Sequence, residues 1–90
     1  MTVAFDIDGC LIHLSGDLED TPRYGVLDLF RWFQRHGHDM VIWSGGGIDY
    51  ATRWARRMGL EARIIEKGSI VPDLAVDDEH VKLGTLNLKV

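Results

Sequence analysis

The chain begins with a short apolar run that leads directly into two carboxylates, Val3-Ala4-Phe5-Asp6-Ile7-Asp8-Gly9. An apolar run of this length without helical periodicity is typical of a buried strand, which we place at residues 2–8. Two acids this close together cannot be buried in a core, because like charges repel and each loses its hydration. They can be accommodated where a strand reaches the edge of an open α/β sheet, because ligand sites lie at the carboxyl ends of the strands. The start of the chain therefore predicts an α/β fold with an acidic, metal-binding site.

With 90 residues the chain has the length of one domain, which we assign to residues 1–90. The formal net charge of -4 argues mildly against a nucleic-acid or anionic-membrane surface. A single cysteine gives neither a disulfide framework nor a thiolate metal site. No apolar run approaches the ~20 residues of a membrane span. We therefore expect a small globular protein in a reduced, cytoplasmic setting, with no membrane partner.

Strand-like and helix-like segments alternate along the rest of the chain. Residues 9–20 suit a loop or a short hairpin flap. Helical spacing of apolar residues begins after Thr21-Pro22 and after Gly45-Gly46-Gly47, and glycines at positions 37 and 59 end the two helices. Further strands are expected at residues 38–43, 61–65, 73–76 and 85–90.

This order of elements predicts a Rossmann-like α/β domain, with a mostly parallel central sheet and helices on both faces. The link between the third and fourth strands is short for a parallel crossover. Either a loop replaces a helix there, or one of the two strands is irregular. The fifth strand also follows too closely for a helical crossover, which favours an antiparallel orientation.

Three of the predicted strands end in polar side chains. Asp6 and Asp8 follow the first strand, Ser44 follows the second, and Asp77 and Asp78 end the fourth. In a parallel sheet these ends share one edge, so the side chains can converge on one crevice. Four carboxylates there repel one another strongly at neutral pH, and a divalent cation relieves that repulsion. Hard oxygen ligands select Mg²⁺, which keeps water ligands and binds substrate phosphates.

Two further features favour a phosphate group in the same crevice. Ser44 and Gly45 open a glycine-rich turn that leads into a helix, and its N–H groups and hydroxyl can bind an anion. Lys67 lies shortly before the fourth strand and can supply the positive charge that a phosphoryl group needs. A helix-capping role for Ser44 is compatible with this function, and Arg63 is an alternative to Lys67 as the cation. These residues predict metal-assisted phosphoryl transfer.

In this order the motifs resemble those of phosphatases of the haloacid dehalogenase (HAD) superfamily. The family pattern is a strand followed by Asp-x-Asp-Gly and Thr or Val, a strand ending in Ser or Thr, a Lys, and a strand ending in Asp-Asp. The matching segments are Phe5-Asp6-Ile7-Asp8-Gly9-Cys10, Val41-Ile42-Trp43-Ser44, Lys67 and Leu74-Ala75-Val76-Asp77-Asp78. Cys10 stands where Thr or Val is usual, and it is similarly small. Neither gap in which a cap domain is inserted is long enough here, so the chain resembles a small capless member with a minimal core.

The resemblance implies a role for each acid. Asp6 is expected to be the nucleophile that forms an aspartyl-phosphate, and Asp8 the general acid and base. Mg²⁺ is expected to bind the Asp6 carboxylate, the Asp8 backbone carbonyl and one of the last two acids. Asp78 is favoured as the direct ligand, with Asp77 acting through water or by orienting the other ligands.

The implied function is a Mg²⁺-dependent phosphomonoesterase. Ser44, Gly45 and Lys67 are expected to bind the phosphoryl group, and an uncapped site can accept a bulky substrate such as a nucleic-acid end, a glycan or a protein. Two alternatives stay open: a non-catalytic metal- and phosphate-binding module of the same fold, and a phosphoacceptor domain resembling response-regulator receivers. The receiver pattern places its adjacent acids near the first strand, whereas here the adjacent pair comes last, which argues against it.

Overall fold

The computed structural model describes residues 1–90 as five strands and two helices. These are β1 (Thr2–Phe5), α1 (Tyr24–Arg35), β2 (Asp39–Ile42), α2 (Ile48–Met58), β3 (Arg63–Ile64), β4 (Leu74–Asp77) and β5 (Leu86–Lys89). All strands pair in parallel in one sheet of order β3-β2-β1-β4-β5. The prediction of a mostly parallel α/β sheet is confirmed. Neither helix combines the length and the apolar composition that crossing a membrane requires.

The expected antiparallel orientation of the last strand is wrong, because β5 runs parallel to β4. The chain returns along the sheet through residues 78–85 without a helix. This loop packs closely: a Cβ on Gly84 would lie 2.8 Å from the backbone nitrogen of Ala75. The side-chain oxygen of Asn87 accepts the N–H groups of Leu83 and Gly84, which holds the turn together. A compact loop therefore replaces the usual crossover helix, as it also does between β3 and β4.

Both helices lie on the same face of the sheet, so the expectation of helices on both faces is wrong. The steps from β1 to β2 and from β2 to β3 go in the same direction, and right-handed crossovers then place both helices on one side. Phe30 of α1 and Trp54 of α2 pack in one cluster with Val3 and Phe5. The opposite face has its own cluster of Ala4, Val41, Trp43 and Ala75, over which the loop residues Ile65, Ile70 and Leu83 lie.

The segment between β1 and α1 forms the expected flap. Ile12 makes isolated bridges with Asp8 and Pro22, and the N–H of His13 donates to the carbonyl of Thr21 at 2.9 Å. Pro22 thus belongs to the closing side of the flap, and α1 begins only at Tyr24. The predicted helix start at Thr21-Pro22 is therefore too early.

The register of the central strands sets their carboxyl ends at one level. Phe5 lies opposite Ile42 in β2 and Val76 in β4. β1 ends at Phe5, earlier than the predicted residue 8, because the chain leaves the sheet for a turn at Gly9, where φ is 74°. Only glycine adopts that conformation readily. The polar residues that follow the three strands therefore meet at one edge of the sheet.

Candidate active site

A polar cleft of about 240 Å³ lies at this edge, at the carboxyl ends of β1, β2 and β4. It brings together all seven residues predicted for the site: Asp6, Asp8, Ser44, Gly45, Lys67, Asp77 and Asp78. Leu14, Gly46 and Glu79 complete its lining, and Leu14 is the only hydrophobic residue. The cleft therefore suits a charged, hydrated ligand rather than an apolar one.

Lys67 joins the two most buried acids of the cleft. Its Nζ lies 3.2 Å from Asp6 Oδ1 and 2.9 Å from Asp77 Oδ2, and the two carboxylate side chains are only 8% and 3% exposed. Burial lowers the pKa of Lys67, but hydrogen bonds and attraction from Asp77 and Asp6 outweigh burial and raise it. The amine therefore stays charged at neutral pH.

The environment of Asp6 disfavours its charged form. Burial and the neighbouring Asp77 raise the pKa of Asp6 from its ordinary value of 3.8 to about 6, although Lys67 acts in the opposite direction. One lysine is thus too little to compensate for burial beside a second carboxylate. A cation placed next to Asp6 would favour the ionised carboxylate.

The last two acids of the cleft have different surroundings. Both oxygens of Asp77 are engaged, Oδ2 by Lys67 and Oδ1 by the N–H of Glu79 at 3.1 Å. Asp78 is half-buried, and burial together with its neighbour Asp77 raises its pKa. Asp78 lies against Gly9, where a Cβ would collide with its carboxylate. Gly9 is therefore needed both for its backbone conformation and for the close approach of Asp78.

Three of the carboxylates can share a metal ion. One oxygen from each of Asp6, Asp77 and Asp78 lies within 4.8 Å of the other two. Both oxygens of Asp77 already have partners, which leaves Asp78 better placed than Asp77 to contact a cation directly. The Asp8 carboxylate is not part of this group. The donor set consists of hard oxygens, which suits a hard divalent cation.

Asp8 is held by a residue that sequence reasoning missed. The hydroxyl of Tyr50 donates to Asp8 Oδ1 at 2.5 Å. Burial and this hydrogen bond to Asp8 raise the pKa of Tyr50 to about 12. Tyr50 lies in the first turn of α2, close to the glycine-rich turn. No motif marks it, and only its place at the helix end nearest the cleft could have suggested the contact.

The turn after β2 offers hydrogen-bond donors to the cleft. The Oγ of buried Ser44 accepts the N–H of Gly46 at 3.0 Å, which leaves the Ser44 O–H free to donate. The N–H groups of Gly45 and Asp8 have no acceptor within the protein. Ser44 does not take the alternative role of helix cap, because the N-cap of α2 is Gly47 and no side chain hydrogen-bonds there. These donors can bind the oxygens of an anion.

Arg63 and Cys10 do not contribute charged groups to the cleft. Arg63 pairs with Asp39 at 2.7 Å, and Asp39 is the first residue of β2, at the end of the strand away from the cleft. Cys10 is buried, its Sγ donates to the carbonyl of Val76 at 3.5 Å, and burial raises the pKa of the thiol. Arg63 is therefore no substitute for Lys67, and Cys10 has no thiolate character.

Comparisons with protein-family models, with curated proteins and with solved structures find no match to this chain. The resemblance to HAD phosphatases thus depends on the four sequence motifs. The other support for a function comes from the geometry and the charges of the cleft.

Proposed function

We propose that the protein is a Mg²⁺-dependent phosphomonoesterase that works through an aspartyl-phosphate on Asp6, as the resemblance to small capless HAD phosphatases implies. The observation that carries this proposal is the contact of Lys67 with both Asp6 and Asp77 in a cleft that also holds free hydrogen-bond donors. A carboxylate nucleophile, a cation and donors for phosphate oxygens thus surround one polar space. We also propose that the fold is a Rossmann-like minimal HAD core and that the protein is cytoplasmic.

In the first step, a carboxylate oxygen of Asp6 attacks the phosphorus of the bound monoester. The bond between phosphorus and the leaving oxygen breaks, its electron pair stays on that oxygen, and Asp8 gives the oxygen a proton. Ser44, the N–H of Gly45 and Lys67 hold the non-bridging oxygens and stabilise the charge on them. The products of this step are the free alcohol and an aspartyl-phosphate.

In the second step, a water molecule attacks the phosphorus of the aspartyl-phosphate and gives its proton to the Asp8 carboxylate. The bond between phosphorus and the Asp6 oxygen breaks, which releases inorganic phosphate and restores the Asp6 carboxylate. Tyr50 holds one oxygen of Asp8, so the other oxygen is free to carry the proton in both steps. Asp8 is half-buried and stands outside the carboxylate cluster, which suits a group that exchanges protons.

The acids fit the Mg²⁺ ion that the resemblance implies. Asp6 and Asp78 would hold it by their carboxylates, and Asp8 by its backbone carbonyl. When bound, Mg²⁺ supplies positive charge that screens the acids from the substrate phosphate and polarises its oxygens. Lys67 is the only cation of a cleft that is lined by five acids, Asp6, Asp8, Asp77, Asp78 and Glu79. An anionic substrate therefore needs this additional charge.

The cleft favours substrates that present a phosphate on a larger body. Its volume of about 240 Å³ accommodates a phosphoryl group with water, and only Leu14 reaches it from the flap. The rest of the substrate then stays outside the cleft. Nucleic-acid ends, glycans and proteins with a phosphomonoester all have this shape.

The test is phosphate release from nucleotide, nucleic-acid-end, sugar and protein phosphates, measured side by side with Mg²⁺ and with a chelator. Asp6→Asn, purified in the same way, controls for contaminating phosphatases. Release that requires both Mg²⁺ and Asp6 supports the proposal. If no ester is hydrolysed while calorimetry still detects Mg²⁺ binding, the non-catalytic metal- and phosphate-binding module replaces it.

A further inference from the structure

The two edge strands of the sheet differ in how well they are protected. β3 has only two residues, and its Arg63 is held in an ion pair with Asp39 of the neighbouring strand. β5 has four residues, all exposed, and pairs with another strand only on its β4 side. Short length and charge protect an edge from further pairing, whereas an open edge offers unpaired backbone groups. β5 is therefore the edge at which the sheet can be extended.

The backbone of β5 alternates between its neighbour and solvent. The N–H of Leu86 donates to Asp73 and that of Val90 donates to Asp77, both at 2.9 Å. Because successive residues of a strand point their backbone groups in opposite directions, the N–H and C=O groups of Asn87 and Lys89 face outward. Asn87 and Lys89 thus offer four unpaired backbone groups, two N–H and two C=O, to a further strand.

An apolar row accompanies this open edge. The side chains of Leu86 and Leu88 are on the helix face of the sheet, since they lie opposite Leu74 and Val76 in β4, and they are 60% and 41% exposed. Neither helix covers this part of the sheet. Val90 continues the row into a groove beside α1 that Tyr24 and other residues line. An open hydrogen-bonding edge and an exposed apolar row therefore occur on one strand.

We propose that β5 pairs with β5 of a second copy of this chain, antiparallel and about a two-fold axis through Leu88. In this register Leu88 lies opposite Leu88 of the other copy, and Leu86 lies opposite Val90. Asn87 lies opposite Lys89, so the outward backbone groups form four hydrogen bonds and no like charges meet. The two sheets join into one of ten strands, with the two clefts at opposite edges.

The neighbouring registers are less favourable. A shift in one direction places Lys89 opposite Lys89, and like charges directly opposite each other are destabilising. A shift in the other direction centres the pair on Asn87 and leaves the C=O of Lys89 without a partner, because the N–H of Thr85, which then lies opposite, already donates to Pro72 at 3.0 Å. The sequence of β5 is therefore self-complementary in one register. The pair is small, so we expect a weak dimer whose fraction rises with protein concentration.

Sedimentation velocity over a wide range of protein concentrations tests the dimer. We expect the dimer fraction to rise with concentration, and Leu88→Lys to weaken the association at least ~10-fold because it sets two lysines opposite each other. Ile48→Lys is the matched control, since Ile48 is 48% exposed and lies on α2, which contacts β3 at the edge of the sheet opposite β5. A chain that stays monomeric throughout, or a dimer that Leu88→Lys leaves intact, overturns the proposal.

Cysteine crosslinking tests the register. Leu88→Cys places two thiols on directly opposite residues with Cα atoms about 4.5 Å apart, a separation that a disulfide spans. Leu86→Cys is the control, because its two copies are offset by four residues, roughly 14 Å. We expect rapid oxidation to a covalent dimer for Leu88→Cys only; the native Cys10 is buried. Equal rates for the two variants contradict the register, whatever the outcome of the phosphatase assay.

Discussion

Asp6 and Asp8 are two residues apart, yet their surroundings differ in almost every respect. Asp6 is buried, bonded to Lys67 and part of the carboxylate cluster. Asp8 is half-buried, outside that cluster, and bonded to the Tyr50 hydroxyl of α2. The difference arises because β1 ends at Phe5, so Asp6 continues the strand direction while Asp8 already belongs to the turn. One short motif thus provides a buried carboxylate beside a cation and a more accessible carboxylate, which suit the nucleophile and the proton carrier of the proposed mechanism.

The largest expected effect is on kcat/KM, and its dependence on the leaving group distinguishes the proposed role of Asp6 from that of Asp8. Asp6→Asn removes the nucleophile and should lower kcat/KM by at least ~10⁴-fold for every ester. Asp8→Asn should cost about 10²–10⁴-fold with alkyl phosphates, and much less with an aryl phosphate whose leaving oxygen needs no proton. Steady-state kinetics with paired alkyl and aryl substrates measures this difference. Equal losses for both variants on both substrates would show that the two acids do not act differently.

The next effect concerns the cation that sets Asp6 apart. Lys67→Met should lower kcat/KM by about 10²–10³-fold, because a group that stabilises the phosphoryl oxygens is lost. It should also destabilise the metal-free protein by roughly 2 kcal/mol or more, since Asp6 and Asp77 lose their buried partner. Added Mg²⁺ should restore much of that stability. Urea unfolding with and without Mg²⁺ measures both changes.

The control for this variant is Arg63→Met, which breaks the exposed ion pair with Asp39. Because these side chains are 52% and 46% exposed, the loss should stay below about 1 kcal/mol and should not respond to Mg²⁺. An Arg63→Met variant as unstable as Lys67→Met would mean that burial is not what distinguishes the Lys67 contacts.

A third effect is the pH dependence of stability that Asp6 causes. Its pKa in the folded metal-free protein is raised from 3.8 to about 6, so folding favours the protonated carboxyl. This contribution is complete below about pH 4 and is lost as the pH rises through about 6, with a size of up to about 3 kcal/mol. Asp6→Asn cannot ionise, so its stability relative to the unmodified protein should increase from pH 4 to pH 7. Denaturant unfolding in a chelator at both pH values checks the sign, and a constant difference contradicts it.

The smallest expected effect concerns Tyr50, which holds Asp8. Tyr50→Phe keeps the ring and removes the hydroxyl, and we expect a loss in kcat of about 10-fold, which corresponds to the lower end of the range of about 1.5–3 kcal/mol that a hydrogen bond to a charged group is worth. KM should change little, since Tyr50 does not line the cleft. A change in KM alone would place Tyr50 in substrate binding instead.

The sequence was a good guide to the site because the ends of parallel strands meet at one edge. Once Asp6, Ser44 and Asp77 were each assigned to the end of a strand, their convergence followed from the sheet alone. The contact of Tyr50 with Asp8 could not be predicted in this way, because it depends on where α2 starts and on how the helix is oriented. The direction of β5 could not be predicted either. It depends on the loop before β5, which Asn87 and Gly84 hold together and which has no periodic pattern of apolar residues.

The placement of the helices was predicted less well. Alternating strands and helices are compatible with one-sided and two-sided sheets, and strand order decides between them. Two consecutive steps in the same direction place α1 and α2 together, but nothing in the pattern of Phe30 or Trp54 reports the direction of a step. Local periodicity identifies the buried side of a helix, whereas the face of the sheet it covers is a property of the whole fold.

The loops that cover the second face also complete the cleft. Residues 65–73 supply Lys67 together with Ile65 and Ile70, and residues 78–85 supply Asp78 together with Leu83. Local unfolding of these loops would therefore expose the core around Trp43 and dismantle the cleft in one event. Any ligand that ties Asp78 to Asp6 should slow hydrogen exchange across that entire layer. The smaller of the two hydrophobic clusters, that of Ala4, Val41, Trp43 and Ala75, is in this way thermodynamically linked to occupancy of the site.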